Sequence, residues 1–198
     1  MTLGQMIAFV LFALTAAGTP GPSNLILTAT GATVGVVRGL PALLGQVVGM
    51  GLLLFLVAVG LGSLVVRSPL IVQGLKWFGI GFLLWLAWQM ATAEHRDQRV
   101  VRAQVGFWTM AGFQWVNPKA WLVCVTAVGV YLPAAAGTSV TRSVVLALLF
   151  MLTALPSCLV WLAAGARVQR LLQTERAWRI FSVVMGGLLA ASMLLFIR

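Results

Sequence analysis

Thr19-Pro20-Gly21-Pro22-Ser23-Asn24 and Asn117-Pro118-Lys119 decide the fold, one stretch in each half of a 198-residue chain. Both break helices, and both lie inside long apolar sequence. A soluble protein places such clusters in surface turns. In a bilayer, every backbone group that a break releases is expensive unless it lines a cavity or finds a partner. Broken helices at corresponding places in two halves point to the binding site of a secondary transporter.

The composition around these breaks is that of a membrane protein. The chain is 61% hydrophobic and only 8% charged, too little polar surface to face water. Residues 1–37, 39–66, 120–141, 143–166 and 180–197 carry no charge at all. A spanning helix needs roughly 20 apolar residues. Six spans fit: about 4–28 (interrupted), 41–64, 72–92, 106–132 (interrupted), 144–165 and 180–197. The expected fold is an all-α integral membrane protein with six transmembrane helices, forming a single transmembrane transporter domain over residues 1–198. Ala16-Ala17-Gly18 resembles a signal-peptide cleavage site, but no basic segment precedes it, so residues 3–18 are expected to be retained.

A net charge of +10 would suggest nucleic acid in a soluble protein. Here it reports topology, and no nucleic-acid partner is expected. Six spans put Arg38, Arg96, Arg99, Arg102, Arg167, Arg170, Arg176 and Arg179 on one side. Arg67, Lys76, Arg142 and Arg198 fall on the other, and Lys119 lies within the fourth span. Eight basic residues against four place the first set in the cytoplasm and both termini outside.

Glu94 to Gln104 is the longest polar stretch and holds two of the three acidic residues and the single histidine, His95. It divides the chain into halves of three spans, residues 1–93 and 104–198, each with a broken first helix. Three is odd, so the halves would be inverted repeats. Thr19-Pro20 corresponds to Asn117-Pro118, Arg38 to Arg142, and Gly79 and Gly81 to Gly186 and Gly187. Gly45, Gly49 and Gly51 bring small residues together at helical spacing, for packing within the chain or for a homodimer interface. Trp77, Trp88, Trp108 and Trp178 near the span ends fit an interfacial belt.

Thr19-Pro20 reads as an N-cap followed by the first helical position, and Asn117-Pro118 repeats the device. Each starts a half-helix whose N–H groups and positive dipole end suit an anion. Pro41 and Pro156 read as ordinary kinks. Lys119 is the one formal charge deep in a span. An unpaired ammonium there costs at least ~2.5 kcal/mol. Glu94, Asp97 and Glu175 all sit in loops, so the partner of Lys119 is a backbone carbonyl, water or a bound anion. The absence of span carboxylates argues against cationic substrates and metals, and neither cofactor nor metal is expected. Cys124 and Cys158 read as packing residues. Thr15, Thr19, Ser23, Asn24, Thr28, Gln46, Gln114, Asn117, Thr126 and Tyr131 supply the polar groups of the spans, a set suited to a small zwitterion or neutral molecule.

Thr19-Pro-Gly-Pro-Ser-Asn, Gly31, Gly35, Arg38-Gly39, Gly45-Gln46 and Gly49 resemble the first half of LysE/RhtB-type amino-acid exporters. Leu75-Lys76, Gly81-Phe82-Leu83-Leu84-Trp85-Leu86, Gly112-Phe113 and Asn117-Pro118-Lys119-Ala120 are similar to the later motifs of that family. The resemblance implies a six-helix exporter of amino acids or their derivatives in the bacterial plasma membrane, driven by the proton gradient. Members specialised for lysine and arginine carry an acidic residue in the second span, where this chain has Gln46 and Val47. That departure implies a neutral substrate. The substrate-binding residues expected are Thr19, Pro20, Gly21, Pro22, Ser23, Asn24, Gln46, Asn117, Pro118 and Lys119.

Three rivals fit less well. An enzyme would need a catalytic constellation in the spans, and His95 stands alone in a loop. An oligomeric channel would need a ring of charges or a filter loop. A scaffold would leave the paired breaks and Lys119 without a role. The topology makes a direct prediction: reporter fusions near residue 98 and at the C-terminus should report opposite sides, with the C-terminus outside. A cytoplasmic C-terminus contradicts both the topology and the inverted repeat.

Overall fold

A computed structural model of the chain describes residues 2–61, 68–92, 106–132, 139–169, 172 and 174–197. All regular structure among these residues is helical: α1 (Leu3–Gly18), α2 (Pro22–Leu56), α3 (Pro69–Thr92), α4 (Phe107–Val116), α5 (Pro118–Tyr131), α6 (Val140–Gln169) and α7 (Glu175–Ile197). The Glu94–Gln104 segment, Arg67, Arg170 and Arg198 lie outside the described residues.

Local sequence explains the helix limits. Thr2 and Gln5 form a reciprocal capping box at the start of α1. Asn117 ends α4 and caps α5, so the expected break of the 106–132 span falls at one residue. The first break lies later than Thr19-Pro20 suggests. Thr19 closes α1, Gly21 is the N-cap of α2, and Pro22 is its first residue. Proline holds the residue before it extended, so Pro22 prevents Gly21 from being helical and delays the start.

The stretch between the first two expected spans, residues 28 to 41, is helical except for a break at Gly35, with φ +77°. Only glycine adopts that conformation cheaply. Pro41 then lies inside the helix that follows, which continues as a wider turn over Val57–Leu61 with Gly60 at φ +119°. The outer helices run past their charge-free windows, so Arg142, Arg167, Arg176 and Arg179 are helical.

Glycines set the closest helix contacts. A Cβ on Gly31 would collide with the Leu162 carbonyl of α6, and one on Gly165 with the Thr28 carbonyl of α2. On the later half of α2, Gly45 meets the Phe107 carbonyl, Gly49 the backbone of Ala111, and Gly51 the Met151 side chain. These three glycines pack within the chain, which leaves none of them free for the homodimer interface considered above. Gly79 packs against Val116 and Gly186 against Ala87, so their likeness in sequence is not matched by equivalent contacts.

Two large apolar clusters and one small one result. One large cluster joins Leu27, Leu43, Leu83, Phe113, Leu162 and Leu189; the other joins Phe9, Leu53, Leu54, Cys124, Leu146 and Phe150. Phe9 and Tyr131 meet edge to face with centroids 5.1 Å apart. Outside, α6 turns Leu148, Leu152, Leu155 and Leu159 outward and α1 turns Leu3, Ile7, Leu11 and Leu14 outward. Apolar ridges at helical spacing suit hydrocarbon rather than water. Trp77, Trp88 and Trp108 are exposed as a belt requires, whereas Trp178 is buried beside Ala32 and Leu172.

The crossing of α2 and α6 tolerates no side chain at its contact. Gly31→Val or Gly165→Val should lower the detergent melting temperature and the folded yield, by more than the ~1–3 kcal/mol of ordinary overpacking. Gly129→Ala, which meets nothing within 4 Å, should be neutral. Equal stability of all three variants would show that the backbones do not touch.

Candidate functional site

At both breaks, polar groups of one half satisfy those of the other. Asn117 is buried, and its Oδ1 accepts from the Lys119 amide at 3.1 Å. Its Nδ2 donates to Ser23 Oγ at 2.8 Å, and Ser23 Oγ donates to Gln114 Oε1 at 3.3 Å. Trp121 Nε1 donates to the Trp115 carbonyl at 2.8 Å, covering an acceptor released by the second break. At the first break, Asn24 Nδ2 donates to the carbonyls of Ala17 (2.7 Å) and Thr19 (3.0 Å). Lys119 reaches across from the other half, and its Nζ donates to the same Thr19 carbonyl at 2.7 Å. These bonds satisfy released carbonyls at both breaks, as burial demands.

The two helix starts differ in one respect. At α5 every early amide is engaged: Lys119 N with the Asn117 side chain, and Ala120 N and Trp121 N with the Asn117 carbonyl. At α2 the N-cap is glycine, with no side chain to cap the helix. The amides of Ser23 and Asn24 therefore have no side-chain cap, and Pro22 contributes no N–H. The start of α2, not that of α5, is the one open to an anion. Lys119 lies against it: a Cβ on Gly21 would come 2.9 Å from Lys119 Cδ and 3.1 Å from Nζ. Glycine at position 21 makes room for the ammonium beside the helix start.

These groups line a cavity that is partly open to solvent. Of the expected site residues, Gly21, Ser23, Asn24, Gln46, Asn117 and Lys119 line it. Thr19, Pro20, Pro22 and Pro118 do not, although Thr19 supplies the carbonyl that holds Lys119. Thr19 and Pro20 are exposed, and Lys119 is only half-buried. Its partner among the three considered is a backbone carbonyl. That acceptor is neutral, so the positive charge remains uncompensated.

Gln114 and Cys158 also line the cavity, beyond the expected set. Gln114 lies one turn before Asn117, a spacing that puts it on the same side of the broken helix. Cys158 offered no such signal, since α6 is apolar around it; Gln46 Nε2 lies 3.3 Å from its Sγ. The remaining wall is small and apolar, including Ala17, Ala120 and Ala154. Among the described residues no group of acidic, histidine and cysteine side chains could hold a metal ion.

The profile of the LysE type translocator family matches residues 14–197. The chain belongs to the LysE-type translocator family. It is similar to a cysteine/O-acetylserine efflux protein of Salmonella paratyphi A, 35% identical over 131 residues, or 66% of this chain and 67% of that one. Its namesake in Klebsiella pneumoniae is 33% identical over 171 residues, 86% of this chain and 87% of the relative. A further one in Escherichia coli O1:K1 is 32% identical over 173 residues, again 86% and 87%. No solved structure matches. The translocator is thus a transmembrane transport protein rather than an enzyme.

In this translocator the first break creates the uncapped helix start. Replacing Pro20, Gly21 and Pro22 together by alanine should let α1 run into α2 and remove those free amides. Insertion and abundance should be preserved while transport falls to background. Transport at the wild-type rate would mean that the cluster is a tolerated kink.

Proposed function

We propose that this translocator exports small neutral amino acids or their derivatives across the bacterial inner membrane in exchange for protons. The observation that carries the reading is the pairing of Lys119 with the uncapped start of α2 in one cavity. Two positive features side by side repel unless an anion occupies the gap between them. No acidic side chain lines that cavity, so the anion comes with the substrate. A carboxylate accepts hydrogen bonds from Lys119 Nζ and from the Ser23 and Asn24 amides.

The lining of the cavity, carboxamides beside small apolar residues, supports a small substrate. The names of the similar proteins support cysteine and O-acetylserine as the first compounds to try. Neutrality is supported by the carboxamides of Asn24, Gln46, Gln114 and Asn117, which occupy the cavity where a cationic side chain would call for carboxylates. Proton coupling rests on the family resemblance alone.

Six spans with outward termini remain the topology of this reading. The break at Gly35 supports separate first and second spans within α2. The helix pairs support an inverted repeat of three plus three: α4 with the later part of α2, α1 with α6, and α3 with α7. Exchanging the halves turns the first of these pairings into the second and the third into itself. In such a transporter the site lies at the interface of the repeats and opens alternately to each side. The Thr19–Lys119 bond is one contact between the halves.

Removing the ammonium isolates the carboxylate site. Lys119→Ala should weaken cysteine binding by the ~1.5–3 kcal/mol of a charge-assisted hydrogen bond. Lys119→Arg should restore only part of it, because a planar guanidinium presents its donors differently. Cysteamine, which lacks the carboxylate, should not compete with cysteine at the wild-type protein. In inside-out vesicles, cysteine uptake should saturate and an uncoupler should abolish it. Equal competition by cysteamine would assign Lys119 to coupling or packing instead.

A further inference from the structure

Gln46 is 93% buried on the later half of α2, and its side chain lines the cavity. Its orientation is dictated from outside. Asn24 must turn Nδ2 toward the carbonyls of Ala17 and Thr19, which only accept. That leaves Asn24 Oδ1 pointing at Gln46, so the near atom of Gln46 must be a donor: Nε2 lies 3.1 Å from Oδ1 and 3.3 Å from Cys158 Sγ. Reversing the carboxamide would set two acceptors against each other. Gln46 Oε1 is therefore fixed facing away from Asn24. Among the described residues it is the one buried side-chain polar atom without a hydrogen-bond partner.

A buried acceptor left bare is costly, and natural structures fill such places. The missing partner must donate hydrogen bonds. It must also fit a site whose other end attracts an anion. Those ends are close in bonding terms. Lys119 Nζ shares the Thr19 carbonyl with Asn24 Nδ2, and Asn24 Oδ1 holds Gln46. We infer that Gln46 Oε1 receives the α-ammonium of the amino acid whose carboxylate lies at Lys119 and the start of α2, an inference that rests on the transport reading above.

The arrangement also gives a rule for selectivity. A carboxamide oxygen accepts from one ammonium without adding negative charge, so it suits a zwitterion and leaves a second cation unpaired. Lysine and arginine are rejected because no acidic side chain lines the cavity to receive their side chains. Gln46 thus sets the orientation of the substrate and excludes cationic ones.

Cysteine and its des-amino analogue 3-mercaptopropionate separate this site from the carboxylate site. Binding of each to the purified full-length protein in nanodiscs, under reducing conditions, is measured by calorimetry. Wild-type protein should prefer cysteine by roughly tenfold or more, the worth of a charge-assisted hydrogen bond. Gln46→Met, which keeps the volume but has no carbonyl oxygen, should bring the ratio near one. Gln46→Glu keeps an acceptor at the same place and should hold the ratio at or above the wild-type value. Equal affinity of the two ligands for the wild-type protein, or an unchanged ratio in Gln46→Met, overturns the ammonium assignment and leaves the carboxylate site standing. Failure of both ligands to bind wild-type protein overturns the transport reading and this inference together.

Discussion

The hydrogen bond from Lys119 Nζ to the Thr19 carbonyl is the interaction on which the rest of the site depends. It joins the break of one half to the helix start of the other. Hydrocarbon allows no unsatisfied backbone groups, so a broken helix persists only when other groups complete it. Here part of the completion comes from within each half, through Asn24, Trp121 and Asn117, and part from the opposite half: Lys119 serves the first break, and Ser23 receives Asn117 from the second. The two breaks are thereby linked. The two breaks together bring Gly21, Ser23, Asn24, Gln114, Asn117 and Lys119 to one cavity.

The same bond leaves a charge unbalanced. A carbonyl satisfies the donor but contributes no negative charge, and the nearest helix start is also positive. The site is therefore hydrogen-bonded yet electrostatically incomplete. Gln46 Oε1 is incomplete in the opposite sense, an acceptor lacking a donor. In the transport reading proposed above, a zwitterionic amino acid would supply both missing parts from a single carbon atom. The apolar wall formed by Ala17, Ala120 and Ala154 would give its side chain apolar contact rather than specific partners.

Much of this was legible in the sequence because prolines and charges are costly in a bilayer and leave unambiguous marks. Asn117-Pro118 announced both a cap and a first helical residue, and the structure has both. Gln46, Asn24 and Lys119 stood out as polar groups in apolar spans. The start of α2 was misplaced because Pro20 and Pro22 each suit a first helical position, and only the restriction on Gly21 decides between them. Gly35 gives no sign of its positive φ among so many glycines, although it falls between the first two expected spans. Which helix start is uncapped could not be read either. Asn117 and Thr19 both resemble caps, but Thr19 lies on the far side of the break and closes α1 instead. Cys158 joined the cavity through the fold alone, since nothing beside it in sequence is polar except Ser157.

Lys76 and Lys119 are the two lysines of the chain, which makes the carboxylate contact directly measurable. In a Lys76→Arg background, solid-state NMR can record the distance between ¹⁵Nζ of Lys119 and the ¹³C-carboxyl of bound cysteine. A charge-assisted hydrogen bond requires a separation of roughly 3–4 Å, and the account predicts that value. Bound cysteine whose carboxyl carbon shows no dipolar coupling to the lysine nitrogen would contradict it.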